Sequence, residues 1–332
     1  MNNQPLDISV IFSTYNREDY LAKTLTAMCN LDMSDIQIEF VVVDNNSSDR
    51  TKEVVESFVD RLPIRYLFEL RPGKNCALNH VIDTVALGEI AVFIDDDIVP
   101  CRDWLKLIKA ACERYPEYHG FGGKIELIWP DLEIPGWTQD GWIKGVVFAN
   151  HEHGDEEFDY QFTYHPGGPN FWVRSSVFAD GRRYDESRGP RPGVQFRMGS
   201  EASFLLKLQV DGFRLRYIPE AVVGHHVQPY LLNPKEAIRR AYRMGLGAAY
   251  RVGELPRMQL FERHPTRWRM IQRVNIWRHQ VRFALASMWP YTDQKVLRLA
   301  HINRDIGYHK ESLDISQSEE NLAKLQEFKP RG

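Results

Sequence analysis

Ile90-Ala91-Val92-Phe93-Ile94 runs straight into Asp95-Asp96-Asp97. A short apolar run bounded by turn signals reads as a buried strand, central in a parallel sheet. Three adjacent carboxylates at the mouth of such a strand repel one another, so local folding does not account for them. A hard cation would. In an extended segment Asp95 and Asp97 point to the same side, and Mg2+ or Mn2+ takes oxygens from one or two carboxylates plus substrate phosphates. The competing reading is a polar loop after a core strand, and the rest of the chain has to decide.

Working back toward the N-terminus, strand and helix alternate. Ile8 to Phe12 reads as a strand, and Asn16 followed by Asp19 resembles the start of a helix leading to Cys29. Glu39 to Val43 is a second buried strand, with Ser48 placed to cap a helix toward Val59. Ile64 to Phe68 is a third strand and Asn75 to Val85 a helix. Such alternation predicts a parallel sheet with helices on both faces. Ligands bind outside the carboxyl ends of such strands, which is where Ser13-Thr14-Tyr15, Asp44-Asn45-Asn46 and the three aspartates fall. Three polar clusters should therefore converge on one crevice.

After Tyr115 the pattern becomes mixed, with short strands, Gly/Pro turns and many aromatics, among them Trp129, Trp137, Trp142, Phe171 and Trp172. An antiparallel addition to the first half is expected. His151-Glu152-His153 with Asp155, Glu156 and Glu157 fits no standard metal spacing and reads as a solvated acidic loop. From Pro234 onward the chain looks helical, and the polar tail after Ser312 is expected to be partly disordered. No internal repeat is evident. The expected divisions are 1–115, 116–232 and a basic helical extension at 233–332.

Composition narrows the class. The 332 residues suffice for a substantial core, and 26% charged with 43% apolar residues is ordinary for a globular protein. No apolar leader precedes the first strand, and no apolar run approaches the ~20 residues of a membrane helix. Cys29, Cys76, Cys101 and Cys112 match no zinc or redox spacing, so reduced thiols and a cytoplasmic location are expected. The net charge of -3 hides an asymmetry: from Lys235 to Arg282 there are twelve Lys/Arg against three Glu. Tyr242, Tyr250, Phe261, Trp268 and Trp277 lie among those cations. A basic, aromatic segment suggests an anionic surface as partner, whether lipid headgroups, a phosphorylated ligand or nucleic acid. An anionic membrane surface is the expectation carried forward, and no nucleic acid is expected. Solvated amphipathic helices, or a homodimer through this segment, are the competing readings.

These pieces together carry a resemblance. Phe12-Ser-Thr-Tyr-Asn-Arg17, Val42-Val-Asp-Asn-Asn-Ser-Ser-Asp49, Gly73-Lys-Asn-Cys-Ala-Leu-Asn79, Asp95-Asp-Asp-Ile-Val-Pro100, Gly168-Pro-Asn-Phe-Trp-Val-Arg174 and Gly199-Ser-Glu-Ala-Ser-Phe204 occur in this order. The chain resembles family 2 glycosyltransferases of the GT-A fold from Ile8 to about His226. The resemblance implies an α/β architecture: a Rossmann-like, mostly parallel sheet with a small antiparallel addition. It implies a nucleotide-sugar donor bordered by Thr14, Tyr15, Arg17, Asp44, Asn46, Lys74, Asn79, Asp95 and Asp96. Asp44 would accept a hydrogen bond from a base N–H, which suits uracil better than adenine and points to a UDP-linked sugar.

The same resemblance makes Asp97, with Asp95, the ligands of Mg2+ or Mn2+. His225 or His226 would join them from the strand that begins near Pro219, the spacing favouring His225. Asn170 and Trp172 would border a carbohydrate or lipid-linked acceptor, although Trp172 could equally pack. Where the family has Glu-Asp this chain has Ser200-Glu201, so Glu201 takes the place of the base. The Gln-X-X-Arg-Trp signature of processive members is absent, and His264-Pro-Thr-Arg-Trp268 only echoes it. The expected reaction is inverting sugar transfer to a hydroxyl in polysaccharide or glycolipid synthesis, at a peripheral site on the cytoplasmic face of the membrane. A sugar-1-phosphate nucleotidyltransferase is the alternative enzyme, but it should carry a Gly-rich basic loop after the first strand, and Ser13-Thr-Tyr-Asn16 is not one. A binding module with a degenerate site is the non-enzymatic alternative, which retention of Asp97 and Glu201 argues against.

Overall fold

The computed structural model describes residues 6–162, 164–193, 195–251, 261, 263–318 and 321–323. In chain order they form β1 (Ile8–Thr14), α1 (Glu18–Met28), β2 (Ile38–Asp44), α2 (Thr51–Glu56), β3 (Ile64–Phe68), α3 (Lys74–Thr84), β4 (Ile90–Ile94), β5 (Ile98–Pro100) and α4 (Trp104–Arg114). There follow β6 (Gly120–Ile128), α5 (Gly141–Phe148), β7 (Phe158–Asp159), β8 (Asn170–Arg174), α6 (Ser200–Val210) and β9 (Leu215–His226). The chain continues through α7 (Pro234–Arg251), α8 (Pro265–Ser287) and α9 (Asp293–Ile315).

The strands order as β3-β2-β1-β4-β8-β6-β9-β5, with β7 also on β9. β1, β2, β3 and β4 are parallel, as expected from runs apolar on both sides. Alternate residues of each strand feed two cores: Val10, Phe40 and Val92 face one helical layer, and Ile11, Val41 and Phe93 the other. All five residues of β4 are buried, the Ile, Val and Phe side chains each contributing roughly 1.5–3 kcal/mol by leaving water. The antiparallel pairs β4–β8, β6–β8, β5–β9 and β7–β9 continue the same sheet.

Local starts differ from expectation in two places. Asn16 does not cap α1. It adopts a left-handed φ of 50°, and its Oδ1 accepts from Ser48 N at 2.7 Å, tying the end of β1 to the end of β2. Ser48 is thereby spent as a donor, and the first turn of α2 is held by Asp49, whose Oδ1 accepts from Thr51 N at 3.1 Å.

The C-terminal region is helical as expected, but its basic segment is not one surface. α7 and α9 cross so closely that a Cβ at Gly245 would lie 2.0 Å from Arg304 O, and one at Gly307 2.3 Å from Tyr242 O. On α7, Arg239 pairs with Glu236, and Arg243 lies over the Phe196 ring at 4.6 Å. Arg257 and Glu262 lie outside the described residues, as do residues 324–332 of the tail. Beyond Ser312 the helix runs on to Ile315, with Ser312, Ile315 and Ser316 all buried. Burial of that turn against the other helices is why its polar composition does not leave it loose. Among the described residues no helix is long and apolar enough to cross a membrane, and all four cysteines are free.

Candidate active site

The three polar clusters do meet. β1, β2 and β4 end side by side, and Asp95-Asp96-Asp97 begins where β4 stops. Asp97 is buried, with its side chain 4% exposed, whereas Asp95 is partly open. The strand β9 arrives from the other side in register with β5, placing His225 opposite Ile98. His225 Nε2 stands 3.1 Å from Asp97 Oδ1, while its Nδ1–H donates to Phe148 O at 2.9 Å. That carbonyl fixes the ring, leaving Nε2 aimed at a carboxylate oxygen. A proton on the ring or a metal ion between the two satisfies such a contact.

Two cations hold the aspartates. Arg17, at the start of α1, reaches Asp96 Oδ1 at 2.6 Å and Asp97 Oδ2 at 2.5 Å. Lys74, in the first turn of α3, puts its Nζ 2.5 Å from Asp95 Oδ1 and 2.5 Å from Glu201 Oε1. Gly73 presents Lys74 from a φ of 129° that disfavours side chains. Its N–H donates to Asn45 Oδ1 at 2.7 Å, and Asn45 in turn donates to the carbonyls of Glu69 and Arg71. Glu201 sits in the first turn of α6, where Ser200 Oγ donates to Asn75 Oδ1. Gly168 faces it: a Cβ there would lie 3.1 Å from Glu201 Cδ, so the loop before β8 closes against the carboxylate.

The electrostatics follow from burial working against partners. Burial alone would lower the Lys74 ammonium, but the carboxylates of Asp95 and Glu201 hold it well above its usual value. Burial would raise Asp97, but His225 and Arg17 hold it well below the carboxylate range. Asp96 goes the other way: burial pushes it up to about 7 against the pull of Arg17. Burial would lower His225, and the Asp97 charge more than reverses that.

Ligand atoms of Asp95, Asp97 and His225 all lie within 4.8 Å of one another. Four carboxylates, those of Asp95, Asp96, Asp97 and Glu201, face the two permanent cations Arg17 and Lys74. A donor set of two carboxylates and one imidazole fits a divalent ion such as Mn2+ or Mg2+.

The remaining expected residues divide. Asp44 is buried at the end of β2, its Oδ1 accepting from Ser47 N at 2.8 Å and its Oδ2 from the Tyr66 hydroxyl at 2.9 Å. Each oxygen keeps a second lone pair for a ligand N–H. Thr14 is buried at the end of β1, Tyr15 is 40% exposed, and Asn46 is exposed beside them with a left-handed φ of 65°. Asn79 is spent on structure: it donates to Tyr184 O and Glu186 Oε1 and accepts from Tyr184 N.

Two acceptor residues belong to the core instead. Trp172 is wholly buried and stacks on Phe121 at 5.6 Å, so it cannot form a sugar platform. Asn170 is also wholly buried, donating to Lys124 O and Ala221 O and accepting from Trp104 Nε1. Asn170 starts β8 and Trp172 lies at its middle; β8 is a central strand, and central strands bury both faces. His226 points away from Asp97 and toward the Tyr20 ring, 5.9 Å distant, because successive residues of β9 face opposite sides. Sequence reasoning missed Gln228, whose Nε2 donates to Asp97 Oδ2 at 2.9 Å, and Tyr66 on Asp44. Gln228 lies just past the strand that carries His225, and that proximity was the available signal.

Comparison with known proteins agrees with this geometry. Residues 9–126 match the family described as Glycosyl transferase family 2. A GalNAc(5)-diNAcBac-PP-undecaprenol beta-1,3-glucosyltransferase of Campylobacter jejuni is 38% identical over 93 residues, 27% of this chain and 29% of that protein. The chain thus spans under a third of that relative's length. Glycosyltransferase AglE of Haloferax volcanii is 33% identical over 243 residues, 72% of each chain. Among solved structures, a mannosyltransferase of Pyrobaculum calidifontis in complex with GDP-Man and Mn2+ superposes with a TM-score of 0.53 at 17% identity, covering 98% of this chain and 79% of that one. The fold is that of the GT-A glycosyltransferases, and the chain belongs to glycosyltransferase family 2.

Proposed function

We propose that this chain transfers a sugar, with inversion at the anomeric carbon, from a nucleoside-diphosphate donor to a hydroxyl of a carbohydrate or lipid-linked acceptor. One observation carries the reading: a single ammonium, Lys74 Nζ, touches both Asp95 and Glu201. The metal-fitting carboxylates and the one carboxylate suited to deprotonate an acceptor are therefore two hydrogen-bond lengths apart. A donor laid over the strand ends would have its diphosphate at the first and its anomeric carbon toward the second.

The residues divide the work. Asp44, steadied by Tyr66 and Ser47, accepts a base N–H, which favours a uracil nucleotide. Asp95, Asp97 and His225 would hold Mg2+ or Mn2+, which when bound neutralises the diphosphate that leaves. Arg17 and Gln228 fix the Asp97 carboxylate so that it does not swing. Glu201 takes the proton of the acceptor hydroxyl as its oxygen attacks from the face opposite the leaving group. Lys74 orients Glu201, and Gly168 leaves room beside it for the acceptor.

Support for the acceptor class comes from the Campylobacter relative, whose name specifies an undecaprenol-linked acceptor. Support for the donor and metal comes from the Pyrobaculum neighbour, solved with GDP-Man and Mn2+. Lipid-linked acceptors would place the work at the cytoplasmic surface of a membrane.

The test is turnover of UDP-, GDP- and dTDP-sugars with and without Mn2+, paired with thermal shift, since a ligand that binds the native state raises its melting point. Metal-dependent release of UDP is the expected result. Release of pyrophosphate from a nucleoside triphosphate and a sugar phosphate would instead assign a nucleotidyltransferase, and nucleotide binding without turnover a binding module.

A further inference from the structure

The solvent side of α8 is apolar where a soluble helix is polar. Met270, Val274, Trp277, Val281, Leu285 and Met288 recur at helical spacing and are between 39% and 73% exposed. Trp289 and Tyr291 extend the patch past the helix end, 65% and 49% exposed. The side turned to the protein mixes polar and apolar groups: Gln272 Oε1 meets His309 Nδ1 at 2.7 Å and Arg269 donates to Ser316 O at 2.6 Å, beside the buried Trp268 and the packed Phe283 and Ala286. The helix thus carries a row of apolar side chains on its solvent side as well as on its packed side, which an ordinary amphipathic surface helix does not. Contiguous exposed apolar patches of this kind mark an interaction surface.

Charge selects the partner. Between Pro265 and Ser287 there are five arginines and no acidic residue. At 3.6 residues per turn, Arg273 borders one edge of the apolar stripe and Arg267, Arg278 and Arg282 the other; all four are exposed. A second copy docking through the same stripe would oppose arginine to arginine. An anionic bilayer would not: apolar side chains enter the acyl boundary, Trp and Tyr sit at headgroup level, and arginines reach lipid phosphates.

We infer that α8 lies flat on an anionic membrane, with Met270, Val274, Trp277, Val281 and Leu285 inserted and the flanking arginines on the headgroups. The docking face is thus α8 and not the Arg239, Arg240 and Arg243 side of α7, where Arg239 is paired and Arg243 packs on Phe196. This assignment is independent of the chemistry at the strand ends.

The whole protein is to be centrifuged with vesicles of equal parts phosphatidylglycerol and phosphatidylcholine, and with phosphatidylcholine vesicles alone. Salt-sensitive binding to the first and little to the second is expected, with Trp277 emission quenched by brominated acyl chains. Each cation near an anionic surface multiplies affinity roughly fivefold, so Arg273→Glu, Arg278→Glu and Arg282→Glu together should weaken binding about a hundredfold or more. Trp277→Ser with Leu285→Ser, which keeps every charge, should weaken it at least about tenfold. Both variants should melt as the parent does, because the altered side chains are exposed. Equal binding to both vesicle types, or binding to neither, overturns the inference. A dimer in sedimentation that the serine variant breaks would assign the face to a second copy. Nucleotide-sugar binding with Mn2+, read without vesicles, reports separately on the proposed reaction.

Discussion

Two histidines, each 8% exposed, lie against the same strand a few residues apart, and their surroundings drive them in opposite directions. His225 pairs with Leu127 of β6, and His151 bridges to Ile125 of the same strand. Burial lowers both. At His225 the Asp97 carboxylate reverses the effect and raises the imidazole. At His151 the partners are the Tyr160 hydroxyl, 2.6 Å away, and the His153 ring, so burial prevails and the imidazole falls to about 3. Tyr164 and Tyr217 complete the aromatic packing around it. A buried histidine thus does not mark a site; a buried histidine set against a cluster of carboxylates does.

The sharpest way to break that distinction is Asp97→Ala. It removes a candidate ligand atom and the partner of His225 and Arg17 together, so metal-dependent donor turnover should fall on the order of a thousandfold, the upper end for a charge-stabilising contact. Turnover unaffected by either EDTA or this substitution would show that the strand-end cluster does not act through a metal. Glu201→Gln should follow, with a loss of ~10²–10⁴-fold in transfer rate. Its nucleotide affinity, measured by titration calorimetry, should barely move. A variant that loses nucleotide binding but transfers normally at saturation would place Glu201 on the donor side.

Lys74→Met tests how the two halves are joined. Without the ammonium, Asp95 and Glu201 face each other across a largely closed gap. Breaking a buried pair typically costs 3–5 kcal/mol, and partial exposure of all three groups reduces that to about 1–3 kcal/mol. Mn2+ should therefore raise the melting temperature of the variant more than that of the parent. An equal rise in both would mean that Lys74 does not share its carboxylate with the metal.

Much of this was legible in the sequence because the first hundred residues obey simple rules. β3 and β4 fall at the residues expected, since continuous apolar runs bounded by turns have few other uses, and the polar clusters after β1, β2 and β4 converge as parallel topology requires. Where a side chain points was less legible. Asn16 and Ser48 look like caps, but a long-range bond between two strand-end loops claims both. Trp172 and Asn170 look like acceptor residues, but β8 inserts between β4 and β6 and buries them. The loop at His151 reads as solvated from its acids, and residues 152–156 are exposed as expected, Asp155 pairing with Lys124 at the surface, but His151 itself is buried. His151 turns inward, onto the Tyr160 hydroxyl. None of these long-range pairings leaves a mark on local spacing.

The mildest prediction returns to the neutral member of the pair. His151 titrates at 6.5 in the unfolded chain but only near 3 when folded. Between those values the unfolded chain binds a proton that the folded chain refuses, so stability is whole above pH 6.5 and drains as pH falls toward 3. His151→Gln can keep the hydrogen bond to Tyr160 but cannot take up that proton. Asp96 acts with the opposite sign, since the folded chain retains a proton that the unfolded chain releases above 3.8, but it does so equally in parent and variant. The difference between their denaturation curves therefore isolates His151: near zero at pH 7.5, and about 1–3 kcal/mol in favour of the variant's relative stability by pH 4, at 1.36 kcal/mol per pKa unit. Parallel curves across that range would mean that His151 is reached by water and protonates in place, and the contrast with His225 would then lie in partners alone rather than in burial.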